Sequence, residues 1–374
     1  MAEHNAPHDR PLRILAAEPY YGGSHKNFLD GLIAHSRHRF DLFQFPPRKW
    51  KWRMRASAIN FARYARERAG SFDLVFASDF LSMADFAGLC PQAASVPKVA
   101  YFHENQFTYP EQLEQNRDYQ FLFTNITTCL AAGRVWFNSD YHRRTFIRET
   151  DLFLRRMPDF VPEGIAAEIE AKASVLHVGC NLDECDAAPR PPRTGPAVIL
   201  WNHRWEHDKD PDTFFGVLFD LADRGADFRV VVLGERFRNY PPVFDAARER
   251  LAGRILQFGY LHGRASYLAA LAGCDVIVST ARQEFFGVAV VEAIACGCWP
   301  LLPDRLSYPE IIPPDLQRRH LYSGARDLHD RLERLIADPA QARGSTLRPQ
   351  VERFSWKALA PCYDAAFAET AACV

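Results

Sequence analysis

Residues 181–195 read NLDECDAAPRPPRTG, a polar, proline-rich stretch with no hydrophobic period. It has neither the apolar stripe of a helix nor the alternation of a strand, so it reads as a linker. One pattern stands on both sides of it. Upstream, short apolar runs at 13–17, 40–45, 74–77, 98–102 and 134–137 alternate with amphipathic stretches at 26–36, 56–69, 118–132 and 141–150. Downstream the alternation restarts, with runs at 197–201, 228–233, 255–258, 276–279 and 299–302. Largely apolar strands separated by helices build a parallel sheet covered on both faces. The expected fold is therefore α/β, with two Rossmann-like domains and a central cleft. Residues 1–186 form the first domain and 187–354 the second. An amphipathic segment at 355–374 is expected to return to the first.

The bulk numbers agree with this division. A chain of 374 residues, 48% hydrophobic and 24% charged, is long enough for two globular cores. Its net charge is −1, yet residues 1–70 hold 13 Lys and Arg against 6 Asp and Glu. Such asymmetry points to an anionic partner for the first domain, or to a solvated basic face. The nine cysteines are scattered without a metal-ligand spacing, which fits a reduced, cytoplasmic protein. The polar N-terminus and the shortness of the apolar runs predict neither a signal peptide nor a membrane partner.

In open α/β sheets ligands bind beyond the carboxyl ends of the strands, so the post-strand segments carry the chemistry. The stretch 279–300, STARQEFFGVAVVEAIACGCWP, places Glu284 in a loop and Gly287 at the start of a helix that bears Glu292. A helix N-terminus offers free N–H groups and a positive dipole end to a diphosphate. Carboxylates on either side can accept bonds from the diols of a nucleotide sugar. The competing reading makes Glu284 a helix cap and Glu292 a surface residue. In WNHRWEHDKDP, residues 201–211, Arg204 and Lys209 supply the positive charge that a departing diphosphate needs. No set of carboxylates is placed to hold a metal, and the alternative is an ordinary charged loop. Within PYYGGSHK, Gly22 and Gly23 let backbone approach a ligand at a helix start, or simply make a tight turn. In YFHENQFTYP, His103 follows a buried strand, either as a functional group or as a bonded structural histidine.

Together these segments resemble retaining glycosyltransferases of the two-domain GT-B type, which carry an Arg-x4-Lys loop and a Glu-x7-Glu motif. A closer resemblance is to the tRNA-queuosine mannosyltransferase family. It is carried by YYGGSHK, KWKWR, YFHENQ, VWFNS, HRWEHDKDP, EFFGVAVVEA and FSW, in order from Tyr20 to Trp356. The resemblance implies GDP-mannose as donor and the cyclopentenediol of queuosine in tRNA as acceptor, with no cofactor and no metal. It places Arg204 and Lys209 on the diphosphate, Glu284 and the backbone of Phe286, Gly287 and Val288 on the sugar, and Glu292 on the ribose diol. His103 falls beside the reacting sugar, Gly22 and Gly23 approach the donor, and Tyr260 and Leu261 are candidates for the base. A lipid or polysaccharide acceptor and a non-catalytic RNA-binding role are the competing readings.

The run RKWKWRMR, residues 48–55, has five cations in eight residues with Trp50 and Trp52 between them. RNA recognition wants cations for phosphates and flat rings for unstacked bases. Arg48, Lys49, Trp50, Lys51, Trp52, Arg53 and Arg55, with Asn105, are the expected tRNA contacts. Tryptophans packed in the core beneath solvated cations are the alternative.

Overall fold

The structure, a computed structural model, describes residues 10–68, 70–108 and 118–373. Ala69, at the end of one expected helix, and Tyr109 and Pro110, which close YFHENQFTYP, lie outside the described residues. The chain divides into two compact units, Met1–Gly179 with Trp356–Val374, and Cys180–Ser355.

The first unit holds a six-stranded parallel sheet. Its strands are β1 (Arg13–Glu18), β2 (Arg39–Gln44), β3 (Leu74–Ser78), β4 (Lys98–Phe102), β5 (Arg134–Phe137) and β6 (Ala173–Val175). Their spatial order is β2-β1-β3-β4-β5-β6. β3 and β4 are buried at every position, as central strands covered on both faces must be. Helices Gly23–His35, Trp50–Arg66, Tyr119–Ala131 and Asp140–Leu154 cover them. The C-terminal helix Trp356–Ala372 packs on the same sheet. Its Tyr363 donates to His177 O at 2.8 Å, and its Phe367 meets Trp136 with ring centroids 4.9 Å apart.

The second unit repeats the plan. β7 (Ala197–Asn202), β8 (Phe228–Leu233), β9 (Ile255–Phe258), β10 (Val276–Val278), β11 (Trp299–Pro303) and β12 (Leu321–Tyr322) lie in the order β12-β11-β10-β7-β8-β9. Trp201, Trp205, Phe214, Phe215 and Phe244 anchor its core. Trp205 stacks on Phe244 at 4.1 Å with planes 2° apart, which pins the loop after β7.

Two expectations need correction. The start of 181–195 is not linker: Leu182–Ala187 is a helix inside the second unit, with Leu182 and Cys185 buried, so the first unit ends at Gly179 and not at 186. Arg193 is likewise tied down, donating to Cys274 O and Gly297 O at 2.8 and 3.1 Å. The second correction concerns the basic run. Its helix begins at Trp50, not at 56, because Lys49 takes a left-handed turn (φ 57°) that caps the helix six residues earlier. Among the described residues no helix is long and apolar enough to cross a membrane.

Candidate active site

In the second unit the loop after β7 is held by close backbone approach. A Cβ at Gly234, whose φ is +126°, would lie 1.8 Å from His203 O. Trp205 N–H donates to Glu235 O at 3.0 Å. The loop thereby delivers Lys209 into the second loop, after β10. Lys209 is buried. Its Nζ donates to Gln283 O at 2.6 Å and lies 3.1 Å from Asp208 Oδ2 and 3.7 Å from Glu284 Oε2. Burial alone would lower its pKa, but Glu284 and Asp208 more than offset this and raise it. The ammonium is thus charged and fixed. Arg204 is half-exposed and pairs with Glu206 at 3.1 Å. Next to it His203 is neutral, driven down to about 3 by burial and by the charge of Lys209.

The β10 loop is stitched from several sides. Thr280 Oγ1 donates to Lys209 O at 2.9 Å, Arg305 Nη2 donates to Thr280 O at 3.0 Å, and Ser307 Oγ donates to Phe286 O at 3.0 Å. Gly287 has φ +102° and caps the helix Val288–Ala295, and a side chain there would press on Ile311 and Tyr308. The first N–H groups of that helix have no partner within it. They lie beside Glu284, whose Cγ is 3.8 Å from the Cβ position of Gly287.

Glu292 is not a surface residue. It is buried, accepting from Tyr267 OH at 2.9 Å and from Arg264 Nη1 at 2.6 Å, and Asn202 Nδ2 donates on to Tyr267 OH at 2.9 Å. Arg264, Tyr267 and Asn202 were not legible as site residues, although Asn202 ends β7, where a polar residue after an apolar run is a signal. Tyr260 is 59% exposed with its ring edge on His262. Among the described residues no bond joins Tyr260 or Leu261 to the Lys209 cluster.

The first unit has its own polar cluster at the ends of β1, β3 and β4. Glu18, the last residue of β1, is fully buried. It accepts from Tyr20 N–H at 2.9 Å, Ser78 Oγ at 3.0 Å and His25 Nδ1 at 3.1 Å. The rings of His25 and His103 lie 4.1 Å apart. His103 N–H donates to Asp79 Oδ1 at 3.0 Å, and its carbonyl accepts from Asn138 Nδ2 at 2.8 Å. Burial would lower His25, but Glu18, followed by Asp79 and Glu104, raises it to about 9. His103 is pushed well below the usual histidine range by burial and by the charge of His25. A neutral imidazole therefore faces a charged one. Sequence reasoning found His103 and missed Glu18 and His25, although a carboxylate closing an apolar strand was visible. Glu18, His25 and His103 also bring their donor atoms within 4.8 Å of one another, a spacing that could hold a cation.

The glycines divide their work. Gly22 is buried against Pro47, where a Cβ would lie 2.3 Å from its Cγ, so its role is packing. Gly23 opens the helix Gly23–His35 at φ +53° with nothing within 4 Å, and it alone of the pair is open to a ligand.

On the Trp50–Arg66 helix, Trp50 packs against Phe121 and Phe80, at 5.1 and 6.4 Å, and is not offered to a base. Arg53 lies over Phe45 at 4.8 Å. Trp52 is 64% exposed. Arg48, Lys49, Lys51 and Arg55 are exposed, and the helix continues this face through Arg63 and Arg66, which lie beyond the run read from sequence. Asn105 corrects another expectation. It is fully buried, and its Oδ1 accepts from Phe107 N–H at 2.9 Å and Thr108 N–H at 3.2 Å, shaping the loop and not meeting a tRNA.

Known proteins resemble this chain over nearly its whole length. Residues 13–180 match the model of the tRNA-queuosine alpha-mannosyltransferase N-terminal domain, and residues 185–348 match that of glycosyl transferases group 1. The tRNA-queuosine alpha-mannosyltransferase of Drosophila melanogaster is 38% identical over 365 residues, 94% of this chain and 95% of that protein. A GDP-mannose-dependent alpha-(1-6)-phosphatidylinositol dimannoside mannosyltransferase of Mycobacterium tuberculosis is 27% identical over 171 residues, 43% of this chain and 42% of that one. Among solved structures, sucrose-phosphate synthase from Thermosynechococcus elongatus superimposes with a TM-score of 0.72 at 17% identity, covering 97% of this chain and 100% of that one. HepE from Anabaena, in complex with UDP and glucose, gives 0.69 at 14% identity, covering 96% and 100%. Two parallel-sheet units, with cations and carboxylates at the strand ends of the second, define a hexosyltransferase of the GT-B fold. The chain belongs to the tRNA-queuosine alpha-mannosyltransferase family.

Proposed function

We propose that this protein transfers mannose from GDP-mannose to the cyclopentenediol of queuosine at the wobble position of tRNA, in the cytoplasm, with retention at the anomeric carbon and without a metal. The observation that carries this reading is that the likeness to the Drosophila enzyme runs through the first unit as well as the second. Donor sites are shared across many glycosyltransferases, whereas a match to the first unit bears on the acceptor. The donor choice is supported by the GDP-mannose-dependent relative.

In this mechanism the leaving GDP draws its charge compensation from Arg204, Lys209 and the N–H groups at Phe286–Val288. Lys209 is already fixed by Gln283 O, so little reorganisation accompanies the reaction. Glu284 positions sugar hydroxyls, and Glu292 meets the ribose diol with its remaining lone pairs. His103, neutral, exchanges hydrogen bonds with the reacting sugar without bringing a second positive charge to it. The acceptor oxygen bonds to the anomeric carbon on the face from which the GDP oxygen departs, and its hydroxyl proton passes to that leaving phosphate oxygen, so no covalent glycosyl-enzyme is formed and positioning does the work.

The test is incubation with GDP-mannose and queuosine-bearing tRNA, followed by nucleoside mass spectrometry. A hexose-shifted queuosine is expected, with undiminished rate in EDTA. Absence of that shift with every common nucleotide sugar would overturn the acceptor. Strong inhibition by EDTA would instead overturn the metal-free mechanism.

A further inference from the structure

The second unit holds a basic concavity that the transfer reaction leaves unused. A cavity of about 330 Å³ is lined by Trp299, Arg318, Arg319, Arg331, Arg334 and Gln341, together with two leucines. Among the described residues no carboxylate lines it. The arginines come from the helices Gln317–His320 and Gly324–Ala337, and Trp299 opens β11. Val276, at the start of β10, pairs with Trp299, whereas Glu284 lies past the end of β10. The cavity is therefore at the amino end of the parallel strands and the donor residues are at the carboxyl end.

The guanidiniums are partly braced and partly unspent. Arg331 Nε donates to Asp327 Oδ1 at 2.7 Å and its Nη1 to Arg318 O at 3.0 Å. Arg334 Nε donates to Asp330 O at 3.0 Å, which leaves its two Nη groups out of that bond. Arg319 lies 5.0 Å over the Trp299 ring, and His320 meets the same ring at 4.4 Å. Trp299 is 5% exposed, and its indole Nε1–H is buried with no acceptor among the described residues. Burial chiefly, opposed by the hydrogen bond to Pro300 O and aided by the charges of Arg319 and Arg331, holds His320 down to about 4.

We propose that this cavity is a binding site for a small anion bearing two or more phosphate charges, separate from the donor site. Four guanidiniums match phosphate geometry better than any neutral ligand. The volume is that of a small-molecule pocket. With the indole already engaged by Arg319 and His320, no open ring is offered to a nucleobase, which argues against a stretch of RNA as the occupant.

Inorganic pyrophosphate is the ligand for the test, titrated calorimetrically into the full chain with GDP saturating the donor site. One equivalent is expected to bind, and Arg318→Ala with Arg334→Ala should weaken it about tenfold or more. The double variant should keep its melting temperature and its transfer rate, since these side chains are exposed and remote from the donor residues. Complete loss of pyrophosphate binding in the presence of GDP would reduce the site to the donor pocket. Unchanged binding by the double variant would make the arginines a merely solvated face. Binding of tRNA that needs these arginines, without affinity for pyrophosphate, would assign the surface to nucleic acid. Each of the three results overturns the proposal.

Discussion

Lys209 is bonded to a main-chain carbonyl and flanked by two carboxylates before any donor arrives, so its ammonium serves the fold as well as the reaction. Lys209→Ala should lower kcat by about 10²–10³-fold and also destabilise the unit, because Glu284 and Asp208 lose their buried counter-charge. Arg204→Ala, at a half-exposed position, should lower kcat with little change in melting temperature. Parallel kinetics and thermal melts separate the two. In the first unit the sign of the pH effect follows from His25, raised from an unfolded value of 6.5 to about 9. Its stabilising contribution is complete below about pH 6.5 and is lost as pH rises through about 9. Melting temperature should therefore fall between about pH 7 and 9.5. Glu18→Gln should flatten that slope, and a slope that survives the variant would remove the Glu18–His25 pair as its cause.

The element that sequence reading most misjudged is the helix Trp50–Arg66. The helical stretch read from the sequence starts at 56, and helix-start signals such as Ser or Asp are missing from the basic run before it. The structure begins the helix at Trp50, and that one change sorts the residues. Trp50 turns inward with Met54 and Phe121, while Lys51, Trp52 and Arg55 stay on the outer face with Arg63 and Arg66. Charge reversal at Arg48, Lys49 and Lys51 should weaken tRNA binding and flatten its salt dependence, by roughly one unit of slope for each phosphate no longer neutralised. GDP-mannose affinity should be unchanged. Trp52→Ala should act on tRNA affinity alone. Trp50→Ala should instead lower the melting temperature, by an amount equivalent to about 2 kcal/mol. Filter binding across a salt series, beside thermal denaturation, distinguishes them.

At the scale of the molecule, the last helix completes the first unit. Trp356 occupies a slot made by two glycines: a Cβ at Gly31 would lie 2.0 Å from its Nε1, and one at Gly179 would lie 2.3 Å from its Cδ2. Tyr363 and Phe367 then cover Tyr101, Phe76 and Trp136. Ending the chain at Ser355 should leave the first unit unable to unfold cooperatively, while the second keeps its transition. Gly179→Ala should be milder, costing about 1–3 kcal/mol through overpacking. Differential scanning calorimetry of both variants reads this directly.

The amino-acid sequence by itself determined the two parallel sheets, since central strands buried on both faces must be apolar throughout. Ten of the twelve described strands stood out, the eight inner ones for that reason and the edge strands β2 and β9 by their aromatic and aliphatic residues. The edge strands β6 and β12, of three and two residues, did not, being too short to show a period. The motif residues Arg204, Lys209, Glu284 and His103 were legible because each follows an apolar run. Only the tertiary structure decided which partners those residues have. Glu18 and His25 beside His103, Arg264 and Tyr267 on Glu292, and the turning inward of Asn105 and Trp50 depend on contacts between segments distant in the chain. No local period or spacing encodes these, because burial and hydrogen-bond partnership are set only when the sheets assemble.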